Sequence, residues 1–127
     1  MVELPRTVLG VGVSDRIVLT IPTDARLRSV ATLVLGGIGS RAELAYERMD
    51  DLQLAVLSAL DAVDGHAATI EVDADGDTLR VTLGRLRDGA ASDTGLARVL
   101  APLVDEVGYE SRDGGQWVTL AVTSGAS

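Results

Sequence analysis

The stretch ATIEVDADGDTLRVTL, residues 68–83, decides the fold class, because apolar and polar side chains alternate on both sides of a turn. Alternation with a period of two is typical of strands that bury one face. The dipeptide Asp75-Gly76 between the two halves favours a tight hairpin turn. The sequence therefore predicts two antiparallel strands, over 68–73 and 78–83.

Before this hairpin, a helix is predicted from about 46 to 64, since apolar residues recur at the spacing of a core-facing stripe. The members of that stripe are Leu52, Val56, Ala59, Leu60 and Val63. A second row, about one residue's rotation away, consists of Asp51, Ala55, Ser58 and Ala62. Small side chains in this row predict either an open groove or the close approach of another element.

Nearer the N-terminus, a strand is predicted over 17–21 and a helix over 25–38. This first helix is apolar on nearly every side, with Leu33 and Leu35 outside its main stripe, so it is expected to bury two sides. The main stripe comprises Leu27, Val30, Ala31, Val34 and Ile38. Gly36-Gly37 and Gly39 are expected to end the helix. Residues 1–14 are interpreted as either an edge strand or a mobile arm.

After the hairpin, 85–93 is predicted to be a polar loop, followed by a third helix. That helix must bend or begin irregularly, because Pro102 cannot donate a hydrogen bond to the preceding turn. Its apolar positions are Leu96, Val99, Leu100, Leu103, Val104 and Val107. A last hairpin is predicted over 109–122. This order of elements predicts an α+β fold, a two-layer α/β sandwich whose mixed sheet is covered on one face by three helices. The domain spans 15–123, and 124–127 form a disordered tail.

Composition limits the classes of function. The chain has 127 residues, no Cys, no Lys, no Asn and a single histidine, His66. Thiol chemistry, thiolate metal sites, a phosphate-loop lysine and Schiff-base chemistry are therefore excluded. A net charge of -8 argues against binding to nucleic acid or an anionic membrane and suits a basic protein partner. With no signal-peptide pattern and no long apolar run, the protein is expected to be cytoplasmic.

Two polar clusters remain as candidate sites. Asp61 and Asp64 near His66 could be an acid–base set or a metal site, but Asp61 falls on the exposed side of its helix, so a solvated surface is favoured. Arg85 and Arg87 are candidates for contact with an acidic partner or a phosphate, against the alternative of solvated charge.

A family resemblance covers nearly all residues after 15. It rests on 21–41, from Ile21-Pro22 to Ser40-Arg41, and on 50–67, which begins Asp50-Asp51-Leu52-Gln53-Leu54-Ala55-Val56 and ends His66-Ala67. It continues to Val104-Asp105-Glu106-Val107. These stretches resemble the anti-sigma factor kinases that regulate bacterial stress and sporulation sigma factors, members of the GHKL superfamily of ATPases. The resemblance implies the histidine-kinase-like ATPase fold.

The residues that use ATP in this family are not kept here. The positions of its general-base Glu and its Mg2+-binding Asn fall on Ser58 and Ala62, which can neither act as a base nor coordinate a hard cation. The Asp that recognises adenine corresponds to Arg85, and the phosphate-binding turn, Gly95-Leu96-Ala97, keeps one glycine. No catalytic residue, metal or cofactor is therefore expected. The vestigial groove comprises Asp51, Ala55, Ser58, Ala62, Arg85, Gly95 and Ala97.

The resemblance implies a regulator that sequesters a sigma factor, an anti-anti-sigma protein of the STAS type, or both. The family's basic contact residue on the first helix falls on Thr32, and Arg28, one turn earlier, could take its role. Leu33 and Leu35 predict a homodimer through the same helix. The alternatives are an active kinase of the anti-anti-sigma factor, using ATP and Mg2+, a dimerisation module without a regulatory ligand, and an unrelated sandwich fold.

Overall fold

The computed structural model describes residues 2–3, 15–24, 29, 32–33, 35–37, 46–75 and 78–123. Backbone at 29, 32–33 and 35–37 is helical and belongs to the predicted first helix, here α1. Arg28, the segment 7–13, Gly39, the turn at Gly76 and the tail 124–127 lie outside the described residues. The other elements are β1 (Val2–Glu3), β2 (Asp15–Pro22), α2 (Tyr46–Leu60), β3 (Ala67–Asp75), β4 (Thr78–Leu86), a 3-10 turn (Ala90–Ser92), α3 (Thr94–Leu100), β5 (Glu106–Arg112) and β6 (Gly115–Thr123).

The strands form one sheet in the order β1-β2-β3-β4-β6-β5. The α+β class predicted from the element order is confirmed. Every described pairing is antiparallel, whereas the sequence predicts a mixed sheet. The position of β6 explains the difference. The chain turns back after β5 at Asp113 and Gly114, both at positive φ, so that β6 pairs with β5 and also with β4. β4 and β5 therefore run in the same direction without touching.

The hairpin of β3 and β4 agrees with the sequence pattern and is longer than predicted. Its register runs from Thr69 opposite Gly84 to Asp75 opposite Thr78. Alternate residues of both strands are buried on the face that receives the helices, and the fully buried members of this face include Ile70, Val72, Leu79, Val81 and Leu83. Burying each such side chain contributes roughly 1.5–3 kcal/mol, so this face stabilises much of the fold.

Helix α2 packs on β4 and β6 through the predicted stripe. Leu52, Val56, Ala59 and Leu60 are buried, which confirms that part of the prediction. The helix ends at Leu60 and not near 64 as predicted. Val63 is half-buried and forms a bridge with Leu86 beyond the helix end. None of the helices in the described part of the chain is both long enough and apolar enough to cross a membrane.

The two leucines assigned to the outer side of α1 have different environments. Leu35 is in the core with 2% of its surface exposed, whereas Leu33 is 75% exposed. Successive helical residues are rotated by about 100°, so positions two apart lie on nearly opposite sides. Gly36 and Gly37 are helical, and Gly39, the third glycine of the predicted helix end, lies outside the described residues.

Helix α3 is shorter than the predicted third helix. It begins with Asp93, whose carboxylate accepts hydrogen bonds from the backbone N–H groups of Gly95 (2.8 Å) and Leu96 (3.3 Å). It ends at Leu100, because Pro102 lacks the N–H group that would continue the helical hydrogen bonds. Val107, predicted to be helical, is in β5. The predicted polar loop 85–93 also begins later, since β4 continues through Leu86.

Gly84 in β4 lies beneath the ring of Trp117. A Cβ atom there would come within 2.6 Å of Trp117 Cδ2, whereas one at Gly108 in β5 would meet nothing within 4 Å. Gly84→Ala should therefore lower the free energy of unfolding by about 1–3 kcal/mol through overpacking. Gly108→Ala should be neutral, or stabilising by about 0.4–1 kcal/mol. Urea unfolding of both variants checks this, and equal losses would contradict the close packing of Trp117 on Gly84.

Candidate functional site

A groove of about 300 Å³ lies between the C-terminal half of α2 and the start of α3. Its volume is at the low end of the roughly 300–1,000 Å³ range of ligand pockets. We call it the α2–α3 groove. Its walls are Ser58, Asp61, Ala62, Arg87, Asp93, Gly95, Leu96 and Val99.

Three of the seven residues assigned to the vestigial groove line it, namely Ser58, Ala62 and Gly95. The other four lie elsewhere. Ala55 is fully buried in the core, and Ala97 is exposed on α3. Asp51 is half-buried on α2 but is not part of the walls. Arg85 is exposed, and its side chain lies against Gly115 of β6. A one-residue irregularity between Gly84 and Leu86 interrupts the β4–β6 register at this point.

Ser58 and Ala62, the positions that the sequence resemblance implies for the base and the Mg2+ ligand, both line the groove. Ser58 is half-buried and Ala62 is buried, so a hydroxyl and a methyl group are part of this wall. The backbone carbonyl oxygen of Ala62 accepts a hydrogen bond of 2.8 Å from the backbone N–H of Arg87. Within the described ranges, no group of three His, Asp or Glu side chains could hold a metal ion.

Arg87 is the cation of the α2–α3 groove. Its Nη1 donates a hydrogen bond of 2.6 Å to the backbone carbonyl oxygen of Asp61, which fixes the guanidinium at the end of α2. Of the two arginines proposed from the sequence for contact with an acidic partner or phosphate, only Arg87 lines the groove. A guanidinium held by a backbone oxygen keeps other N–H donors for a ligand.

Asp93 contributes a negative charge to the same groove. Burial raises the pKa of Tyr109 on β5, and the Asp93 carboxylate raises it further. The Tyr109 hydroxyl is buried and has no hydrogen-bond partner among the described residues. The phenol therefore stays neutral near neutral pH.

Sequence reasoning missed Asp93, Leu96 and Val99 as groove residues. Asp93 could have been found, because Asp before a helical stretch is a capping signal and places its carboxylate at the helix start. Val99 was counted among the core positions of α3, but it is 45% exposed. Apolar spacing alone did not indicate this exposure.

The cluster around His66 does not form a site. Asp61, Asp64 and His66 are all exposed. The backbone groups of two of them make structural contacts: the Asp64 N–H donates to the Arg85 carbonyl oxygen, and the His66 carbonyl oxygen accepts from the Thr23 N–H. The interpretation of this cluster as solvated surface agrees with these positions.

A hydrogen bond joins the proposed contact position on α1, Thr32, to α2. Gln53 Nε2 donates a hydrogen bond of 3.1 Å to the carbonyl oxygen of Thr32. Next to these two residues are Leu33 on α1 and Leu54 on α2, and Leu54 is 53% exposed. Arg28 lies outside the described residues. α1 and α2 therefore each expose a leucine next to the hydrogen bond between Gln53 and Thr32.

No protein-family model matches this chain, and no curated protein matches it. The groove and the exposed helix surface are therefore the basis for inferring function.

Proposed function

We propose that this protein is an anti-sigma-type regulator of transcription with the histidine-kinase-like fold. It binds a sigma factor, an anti-anti-sigma protein of the STAS type, or both, without using ATP. The observation that carries the proposal is the α2–α3 groove, which presents Ser58 and Ala62 where the kinases need a base and a Mg2+ ligand.

The charge of the groove supports the same conclusion. Two carboxylates, Asp61 and Asp93, line it together with one guanidinium, that of Arg87. Carboxylates repel the phosphates of a nucleotide, and the whole chain carries a net charge of -8. Nucleotide binding here would need a cation to compensate these carboxylates.

The partner surface in this proposal is α1 with the start of α2. Exposed leucines on soluble proteins are common, but two on adjacent helices, Leu33 and Leu54, suit a protein contact. The sequence resemblance suggests Arg28, one turn before Thr32, as the cation that contacts the partner. The protein is a cytoplasmic homodimer in the proposal, and Leu33 is its dimer contact, because Leu35 is in the core.

Without phosphotransfer, binding must be reversed by another route. An active kinase of this type drives off its phosphorylated antagonist, which links its affinity for the antagonist to ATP. This chain would release its partner through competition between partners, or through another kinase and phosphatase that act on the antagonist.

The partner is first captured from native cytoplasm and identified by mass spectrometry. Calorimetry with that partner then tests the proposal. Arg28→Ala should weaken binding by about 1–3 kcal/mol, because it removes charged hydrogen bonds. Arg80→Ala is the matched control, since it removes the same charge from an exposed position on β4. ATP and Mg2+ should leave the affinity unchanged.

The possible outcomes separate the parts of the proposal. A tenfold effect of nucleotide would overturn the claim that the site is degenerate. Full affinity in Arg28→Ala would move the interface away from α1 and leave that claim intact.

The second candidate function is an ATP-dependent kinase of the anti-anti-sigma factor. The observation in its favour is Arg87, because a guanidinium fixed in a groove of this size suits a phosphate group. Binding of ATP and Mg2+ to the isolated protein distinguishes this candidate from the first.

A further inference from the structure

The α2–α3 groove has apolar walls beside its polar ones. Leu96 and Ala62 form part of the walls, and Val99 is half-exposed at the edge. Leu54 precedes Ser58 by one helical turn, so the two residues share a face of α2. The exposed Leu54 is not a wall of the groove but lies on the same side of α2, toward the start of the helix. The groove and Leu54 are therefore two separate apolar contact points along one side of α2, which we call the track.

Acidic side chains border this track. Glu47, Asp50 and Asp51 precede Leu54 by seven, four and three residues, so they lie on its side of α2. These three carboxylates make no ion pair with the described residues. Asp93 adds a fourth carboxylate at the start of α3. The cation next in sequence, Arg48, pairs with Asp105 instead.

The charges along the track determine which kind of partner can bind there. Arg87 is held at the far end of the groove by the Asp61 carbonyl oxygen, so the rest of the track is negative. The same track on a second copy would place its own carboxylates against these and be repelled, whereas the proposed homodimer forms through Leu33 on α1. A helix with apolar residues one or two turns apart matches two apolar points on one track, and basic flanks match the carboxylates.

We infer that the α2–α3 groove with Leu54 is a docking site for a basic, amphipathic helical segment of a partner protein. The inference rests on the proposed function, in which the protein works by binding a partner, and it extends the proposed partner surface from Leu54 into the groove. Apolar side chains of the segment pack beside Leu54 and between Leu96 and Val99. Its Arg or Lys side chains pair with Asp93 and with the carboxylates of α2.

The test uses the full chain and two labelled synthetic helical peptides, measured by fluorescence anisotropy. Both peptides have leucines at helical positions i, i+4 and i+7. One has arginine at the flanking positions, and the other has glutamate there. The arginine peptide should bind, and the glutamate peptide should bind at least about tenfold more weakly, because like charges meet across the interface.

Matched variants separate docking in the groove from general attraction to an acidic protein. Val99→Arg and Ala97→Arg each add one positive charge to an exposed position of α3, but only Val99 lines the groove. Val99→Arg should weaken binding of the arginine peptide about tenfold or more, and Ala97→Arg less than about twofold. Leu54→Arg, on a different helix, should behave like Val99→Arg, which guards against a folding defect in one variant.

Asp93→Asn removes a charge but keeps an oxygen that can cap α3. It should weaken binding about threefold, with circular dichroism unchanged. The inference is overturned if the glutamate peptide binds as tightly as the arginine peptide, or if Val99→Arg and Ala97→Arg have equal effects. Either of these results would leave the proposed capture of a partner through α1 unaffected. Loss of partner capture with peptide binding retained would instead contradict the proposed function.

Discussion

Leu35→Ala should lower the free energy of unfolding by about 2–5 kcal/mol, the range for deleting a buried leucine from a packed core. Leu35 is 2% exposed and belongs to the main core cluster. Leu33→Ala should change the free energy of unfolding of the monomer by less than about 0.5 kcal/mol, because 75% of Leu33 is exposed. Both variants are measured at a protein concentration too low for the proposed dimer to form. Urea unfolding monitored by circular dichroism measures both.

The pair of variants controls for composition, since the same substitution is made two residues apart on one helix. Equal losses would mean that α1 is rotated from the orientation described here. A larger loss of unfolding free energy in Leu33→Ala than in Leu35→Ala would mean that Leu33, and not Leu35, is in the core. Leu33 could then not be the proposed dimer contact.

Glu71→Ala should lower the free energy of unfolding by about 2 kcal/mol at pH 7, as expected for losing charged hydrogen bonds. The Glu71 carboxylate accepts two hydrogen bonds from Arg112, from Nη1 at 2.6 Å and Nη2 at 3.1 Å. A third comes from Arg16 Nη2 at 3.0 Å. Only 13% of the Glu71 side chain is exposed. Arg112 also stacks over Trp117, 4.8 Å from the ring centroid.

The effect of this substitution should depend on pH. Hydrogen bonds from Arg112, followed by the charges of Arg112 and Arg16, hold the pKa of Glu71 below its ordinary value of 4.5, against the opposing effect of burial. A carboxyl group with a lowered pKa in the folded state stabilises the fold above its unfolded pKa. That stability is lost as pH falls through the folded pKa.

The difference between wild type and Glu71→Ala should therefore be largest at pH 7 and shrink below about pH 4.5. Glu110→Ala is the control, because Glu110 accepts one hydrogen bond from the same Arg112 but is 44% exposed. Its loss should be below about 1 kcal/mol. A Glu71→Ala deficit that stays constant from pH 7 to pH 3 would contradict the assignment of the effect to the carboxylate charge.

The local elements of this fold could be predicted from sequence because their signals are local. The alternation in 68–83 and the apolar stripe of α2 each decide one element without reference to the rest of the chain. The length of the third helix could not be predicted in the same way. Val104 and Val107 continue its apolar spacing, yet Pro102 ends the helix and Val107 is in a strand.

The sheet order and the groove depend on contacts between distant residues. β6 lies between β4 and β5 in the sheet. Every described strand pair is therefore antiparallel, whereas the sequence predicts a mixed sheet. The ion pair of Glu71 and Arg112 joins residues 41 apart, and no pattern in the sequence indicates it. Arg85 was assigned to the groove by family position, but the register irregularity at Gly84/Leu86 places its side chain against Gly115.

The melting midpoint of the protein in millimolar ATP and Mg2+ tests the central claim, a degenerate nucleotide site, most directly. A ligand at 100 times its dissociation constant would stabilise the fold by about 2.7 kcal/mol and raise the midpoint by several degrees. The groove lined by Ser58 and Ala62 predicts no rise relative to Mg2+ alone. A rise that requires both ATP and Mg2+ would contradict the claim and favour the kinase.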